Sequence, residues 1–354
     1  MISNVPPIIH LIPVDGIGGV ETAVRSMLND DLNANSFKLM LIAGKTLSIN
    51  KSQVIESSFR SPNNPLAHLH VIYKIFSEKP NILVCSLWRT VPIGLFAKLL
   101  MPKTRIVYFL HYASTTHIFD KLFSQLMLFF CDAVWADSET TLTARLKAHK
   151  ITTITTRVIS FVTSKQMATT KTSNVFSPRF IFWGRLNKQK GLDRAINLIK
   201  VLVNKGVICN FEIWGPDGGE LNNLIKQVKN LKIERYVQFM GSTTHNQLAN
   251  ISSSNSFYLQ LSRMEGMAMS VVEAMQYGLV PIVTPVGEIE RYCKNNLNAI
   301  VVYNTDNFDK TAEKIIYLLS NKEEYNAMRF SAQKTWSDAH MYQDDFLLAA
   351  KELL

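Results

Sequence analysis

Short apolar runs alternate with helix-spaced stretches along almost the whole of this 354-residue chain. In the first half the runs are Ile8–Pro13, Lys38–Ala43, Ile82–Ser86, Arg105–Leu110 and Ala133–Ala136. Helical patterns such as Leu66–Phe76 and Ile93–Leu100 separate them. A strand covered on both faces reads as a continuous apolar run, and parallel neighbours need a crossover, usually a helix. The alternation therefore predicts an α/β chain of parallel sheets with helices on both faces. A second series starts at Arg179–Trp183 and continues through Cys209–Trp214, Val237–Phe239, Phe257–Leu261, Val280–Val283 and Ala299–Val302. Between the two series, Thr163–Ser177 shifts to Thr, Ser and Lys and reads as a linker. The length suits two domains. The expected boundaries are 1–165, 175–330, and a tail over 331–354. Lys310–Leu354 is helical in pattern, and Trp336, Tyr342 and Phe346 give the tail a packing stripe.

Hydrophobic residues make up 47% and charged residues 19%, which provides for a core and excludes global disorder. Cys85, Cys131, Cys209 and Cys293 form no C-x-x-C pair, so buried thiols in a reducing compartment are expected. No basic leader precedes an apolar core, and no apolar run reaches membrane-spanning length, so a cytoplasmic protein is expected. The net charge of +10 is uneven: residues 1–172 hold 18 Lys/Arg against 10 Asp/Glu, and residues 173–354 hold 20 against 18. The excess suggests an anionic partner for the first half, such as nucleic acid, a phosphorylated acceptor or an anionic membrane surface. No helix-turn-helix, zinc-finger or stacking signature is present, so nucleic acid is not expected. Ile118–Cys131 is a strongly apolar helical pattern with Asp120, Lys121, Ser124 and Gln125 on its polar side. That stretch suits core packing, or a face toward a membrane or an acceptor.

Three constellations carry chemistry. Gly16-x-Gly18-Gly19-x-Glu21 lies between a strand and a helix, where glycine permits close backbone approach to a ligand or simply a tight turn. It is not the G-x-G-x-x-G of dinucleotide folds, and no acidic residue ends the second strand near Ala43. Trp183-Gly-Arg185-Leu-Asn-Lys-Gln-Lys190-Gly191 places two cations beside a helix start, which suits a diphosphate. Glu265-Gly-Met-Ala-Met-Ser-Val-Val-Glu273 sets two carboxylates eight positions apart, with a helix expected from near Met267. Paired carboxylates also serve glycoside hydrolysis, but hydrolysis would not require Arg185, Lys190 or the glycine loops.

Together, G-R-L-x-x-x-K-G and, about 75 residues later, E-G-x-x-x-S-x-x-E-A-M-x-x-G-x-P resemble the donor half of the retaining GT-B glycosyltransferases of family 4. Gly215 after Ile213-Trp214, and Val237–Gly241, are similar to further marks of that family. The resemblance covers nearly all of residues 179–303, and in the first half the glycine loop and Tyr108–His111. It implies two Rossmann-like domains facing a central cleft, the first binding acceptor and the second nucleotide sugar. It also implies a C-terminal helix that crosses back to the first domain.

Residue by residue, the resemblance implies that Arg185 and Lys190 clamp the donor diphosphate. Glu265 would hold donor-sugar hydroxyls, and the backbone N–H groups of Gly266, Met267 and Ala268 would meet sugar or phosphate oxygens. Glu273 would hold the ribose. Gly18 and Gly19 would let the first loop reach the donor, and His111 would stand near the reacting carbon. The chain has no D-x-D triplet, so no metal or other cofactor is expected. The family often has Gly-Phe-Gly where this chain has Gly266-Met267-Ala268, and Arg263 adds a charge nearby. The expected activity is transfer from a nucleotide-diphosphate sugar to a glycan or lipid-linked acceptor in bacterial surface-polysaccharide assembly. Peripheral contact with an anionic membrane would accompany it. An epimerase, a phosphorylase or a non-catalytic sugar-nucleotide sensor would use the same fold.

Overall fold

The computed structural model describes residues 7–16, 18–29, 36–48, 50–115, 117–165 and 178–354. The expected linker over 163–177 lies mostly outside the described residues, as do Met1–Pro6 and Ile17 of the first glycine loop. The chain divides into two compact units. One is Met1–Thr163 with His340–Leu354; the other is Ser164–Ala339.

The first unit carries a seven-stranded sheet, every pair parallel. Its strands are β1 (Ile8–Ile12), β2 (Phe37–Leu41), β3 (Val54–Ile55), β4 (Ile82–Ser86), β5 (Arg105–Leu110), β6 (Ala133–Ala136) and β7 (Thr155–Val158). They run in the order β3-β2-β1-β4-β5-β6-β7. The helices are α1 (Gly19–Ser26), α2 (Pro65–Glu78), α3 (Val91–Leu100), α4 (Ile118–Phe130) and α5 (Glu139–His149). β3 and β7 lie at the sheet edges and lack the buried apolar run that marks the inner strands. Asn64 accepts from Leu66 N at 3.0 Å, with Pro65 in the first turn of α2, so that helix starts on a side-chain cap. Ser138 does the same for α5, accepting from Thr141 N at 3.2 Å.

The second unit repeats the plan with β8 (Arg179–Trp183), β9 (Asn210–Trp214), β10 (Val237–Gly241), β11 (Phe257–Gln260), β12 (Val280–Val283) and β13 (Ile300–Val301). The order is β10-β9-β8-β11-β12-β13, again all parallel. Its helices are α6 (Leu192–Asn204), α7 (Leu221–Asn230), α8 (His245–Ser253), α9 (Met269–Gln276), α10 (Ile289–Tyr292), α11 (Asp309–Ser320) and α12 (Lys322–Lys334). Both sheets are doubly wound, with the strand order reversing beside the unit's first strand: between β1 and β4, and between β8 and β11. Ligands of open α/β sheets bind at the carboxyl ends of the strands at such a reversal.

The last helix, α13 (Tyr342–Glu352), belongs to the first unit. Phe346 stacks on His10 at 5.5 Å and meets Trp135 edge-on at 5.1 Å. Asp345 accepts from Arg157 at 3.1 Å and from Ser160 N at 2.8 Å. The return comes at His340 rather than at 331. Trp336 stays with the second unit, its indole N–H on the Met275 sulfur at 3.3 Å and its ring 5.1 Å from Tyr292.

α4 corrects an expectation. Asp120 and Ser124, read as part of its polar side, are buried, and much of its apolar surface is exposed rather than packed in the core. The inward polar groups have partners: Ser124 Oγ meets Tyr108 OH at 2.8 Å and donates to Asp120 at 3.0 Å, and Arg145 lies 3.9 Å from Asp120. All four cysteines are buried and unbridged, and burial pushes the Cys131 and Cys209 thiols up to about 12. Among the described residues no helix is long and apolar enough to cross a membrane.

Candidate functional site

In the second unit the loops after β8 and β11 meet at the strand reversal. Gly191 caps α6 in the left-handed region at φ 64°, and a Cβ there would sit 1.8 Å from the Leu261 carbonyl oxygen. Only glycine lets the two loops pack this closely. Arg263 N donates to the Gln189 carbonyl at 2.8 Å, and Gln189 Nε2 returns a bond to the Met264 carbonyl at 2.8 Å. Arg263 also forks onto Asp193 at 2.7 and 2.6 Å. Arg263 is therefore a clamp between the loops, and its guanidinium holds the Asp193 carboxyl below the usual range despite part burial.

These stitches bring Lys190 to Glu265. Lys190 Nζ donates to both carboxylate oxygens, at 2.8 and 3.0 Å. Gln260 Nε2 at 3.0 Å and Ser262 Oγ at 2.7 Å also donate to Glu265 Oε1. The carboxylate is buried, with its ammonium partner near the surface. Charge-assisted bonds of this kind compensate the burial of the pair. An ammonium has three donors, so one remains beyond the two given to Glu265. Arg185, on the loop just after β8, is exposed.

α9 begins at Met269, two residues later than expected, because Ala268 occupies the left-handed region at φ 57°, ψ 62°. Gly266 is held through its carbonyl by Glu288 N at 3.0 Å, and Met267 through its carbonyl by Tyr292 OH at 2.9 Å. Among the described residues, no acceptor meets the N–H groups of Gly266, Met267 or Ala268. Three N–H groups at a helix start attract an anion or a polar oxygen.

Glu273, on α9, accepts from the Trp183 indole N–H at 2.9 Å, with His245 Nδ1 3.6 Å away. Burial raises its carboxyl above the ordinary 4.5, against the pull of His245 and the indole bond. Gln260, Ser262, Trp183 and His245 are the partners that sequence reasoning did not assign. Gln260 and Ser262 carried a signal, as polar residues two apart at the end of an apolar strand.

In the first unit, His10, Ser86 and His111 form a buried chain over β1, β4 and the end of β5. His10 Nε2 lies 2.8 Å from Ser86 Oγ, and His111 Nε2 lies 2.9 Å from the same oxygen. Neither Nδ1 has a partner among the described residues. Burial lowers both pKa values, that of His111 to about 3, so both rings are neutral at pH 7. One hydroxyl has one proton, so Ser86 donates to one ring and accepts from the other. The rings therefore hold opposite tautomers. His10 is fully buried against Phe109 and Phe346. An orphan N–H there costs more than an orphan lone pair. The Nδ1 of His111 is buried and unpartnered as well, so burial does not choose which ring donates.

His111 also lines a cavity of about 230 Å³ with Trp88, Arg89, Asp120 and Arg145. Leu87 at its wall has φ 68°, ψ 151°, a strained conformation for any residue but glycine. A larger hollow of about 790 Å³, among Asn295–Lys314, touches none of the residues singled out above. Gly18 and Gly19 begin α1. A Cβ on Gly18 would sit 2.4 Å from a Glu21 carboxylate oxygen, so glycine there accommodates Glu21. Asp15 ties this loop down through Arg25 and through Thr46 Oγ1 at 2.8 Å.

Residues 168–335 match the family described as Glycosyl transferases group 1. A GDP-mannose:cellobiosyl-diphosphopolyprenol alpha-mannosyltransferase of Xanthomonas oryzae is 25% identical over 168 residues, 47% of this chain and 43% of that protein. The chain thus spans less than half the length of that curated relative. Among solved structures, Anabaena HepE in complex with UDP-glucose superposes with a TM-score of 0.82 at 18% identity, over 99% of this chain and 100% of that one. The apo form of the lipopolysaccharide outer core galactosyltransferase WaaB gives 0.70 at 18% identity, over 98% and 99%. These likenesses establish the fold as GT-B, with two doubly wound Rossmann-like units.

Proposed function

We propose that this chain is a retaining glycosyltransferase of family 4, independent of metal. It moves a sugar from a nucleotide-diphosphate donor to a glycan or lipid-linked acceptor. The process served is bacterial surface-polysaccharide assembly, at the inner face of the cytoplasmic membrane. The observation that carries the reading is the meeting of Lys190 with Glu265 at the strand reversal of the second sheet, beside the N–H groups of Gly266, Met267 and Ala268. Breaking a sugar–phosphate bond leaves negative charge on the diphosphate, and stabilising it is the larger part of catalysis. Arg185, the third donor of Lys190 and the start of α9 are assigned that charge. Glu265, fixed by Lys190, Gln260 and Ser262, positions donor-sugar hydroxyls, and Glu273 takes the ribose. The leaving phosphate accepts the acceptor's proton as the new bond forms on the same face. The first unit is assigned the acceptor, with Gly18, Gly19 and His111 at the carboxyl ends of its own strands. The unit as a whole is only slightly basic, with 17 Lys/Arg against 13 Asp/Glu, so it is the local lysines on its helices, not its net charge, that suit a phosphorylated or lipid-linked acceptor and an anionic membrane.

A thermal-shift series with UDP, GDP, ADP, TDP and CMP tests the donor site. One diphosphate should raise Tm saturably, with the response lost in Arg185→Ala and Glu273→Ala and unchanged by EDTA. No response to any nucleotide, or variants that respond like wild type, would overturn the assignment.

A further inference from the structure

α4 is built inside out. Its buried positions are Asp120, Ser124, Met127 and Leu128, whereas Ile118, Phe119, Leu122, Phe129 and Phe130 are exposed, Ile118 by 76% and Phe129 by 67%. Its neighbours carry outward stripes of their own: Leu66, Leu69 and Tyr73 on α2, and Phe96, Leu99 and Leu100 on α3. The three helices cover one face of the first sheet, since Ala67, Ile93 and Met127 share one core cluster. A single exposed leucine needs no explanation, but apolar stripes on three neighbouring helices do.

The charge around these stripes is one-sided. The acids of residues 65–132 are Glu78, Asp120 and Asp132, and each faces a cation: Lys38, Arg145, and Lys98 with Arg105. Lys74, Lys79, Lys103 and Lys121 have no ion-pair partner among the described residues. A second copy seated on this face would bring like charges together. A bilayer of anionic phospholipid offers apolar depth and negative headgroups at once.

We propose that the outward face of α2, α3 and α4 docks on an anionic phospholipid bilayer. Phenylalanine and leucine side chains enter the headgroup boundary, and the lysines meet lipid phosphates. This rests on the membrane contact included in the proposed function and assigns it a surface. The test is co-sedimentation with vesicles of phosphatidylcholine, alone and mixed with phosphatidylglycerol. Wild type should bind the mixed vesicles, and added salt should weaken binding. Phe119→Ser with Phe129→Ser, and Lys103→Glu with Lys121→Glu, should each weaken it by about tenfold or more while leaving the wild-type Tm and nucleotide response. Wild type that ignores mixed vesicles, or phenylalanine variants that bind like wild type, would sink the proposal. So would ultracentrifugation showing a dimer that the phenylalanine substitutions dissociate. Nucleotide response is read separately: vesicle binding without any nucleotide shift would sink the transferase and leave the docking face standing.

Discussion

Ser86 is a small residue with a large influence on His111. Its one hydroxyl proton couples two neutral rings: donating to one and accepting from the other, it holds them in opposite tautomers. Ser86→Ala removes that coupling and leaves both Nε2 atoms without their partner. Nitrogen-15 NMR of labelled protein should show His10 and His111 as opposite pure tautomers in wild type and His111 as a mixture in the variant. In the transferase reading kcat should fall about tenfold or more with KM little changed, as befits a positioning residue. A pure tautomer persisting in Ser86→Ala would rule the mechanism out. At this scale the sequence was partly legible. Glu265 and Lys190 stand out in it as charges beside glycines, and the structure pairs them. The partners of Glu273 do not, because Trp183 and His245 lie 90 and 28 positions away and either residue is as ordinary in a core or on a surface. Ser86, closing an apolar strand, carries no mark until β1, β4 and β5 set His10 and His111 on either side of it.

Periodicity locates elements better than it orients or bounds them. The apolar spacing of α4 announced a helix, but Asp120 and Ser124 turn inward because Arg145 and Tyr108 await them, a long-range fact no local pattern contains. β3 and β7 escaped notice because an edge strand need not be apolar. The start of α9 shifted by two residues for a backbone reason. Ala268 sits in the left-handed region, at a cost of about 1 kcal/mol to any residue with a Cβ. Ala268→Gly should therefore stabilise the protein by about 0.5–1 kcal/mol, read from the urea midpoint at unchanged m. The opposite change at the facing loop is the control. Gly191→Ala drives a Cβ into the Leu261 carbonyl and should cost about 3 kcal/mol or more while parting Lys190 from Glu265. An Ala268→Gly variant less stable than wild type would mean that the left-handed turn is not what delays the helix.

Each unit has its own sheet and its own buried titratable groups, and these give the two halves opposite responses to acid. His111 titrates near 3 in the folded first unit and near 6.5 when unfolded. Below 6.5 the unfolded chain takes a proton that the native ring refuses, so stability is lost as pH falls. The loss is about 1.4 kcal/mol per pH unit, or about 2 kcal/mol by pH 5. His10, lowered by burial and by His111, acts in the same direction. Glu273 in the second unit has the reverse sign. Its native pKa lies above the ordinary 4.5, so the penalty of the buried carboxylate is present at pH 7 and is relieved as pH falls through the native value. Calorimetry at pH 7 and pH 5 should resolve this once each transition is assigned. The transition altered by His111→Asn should fall on acidification, and the one altered by Glu273→Gln should hold or rise. Glu273→Gln should raise its own transition at pH 7 and match wild type near pH 4; in the transferase reading it should also lose nucleotide binding. If both transitions fall together by the same amount, the acid response belongs to net charge, not to these buried groups.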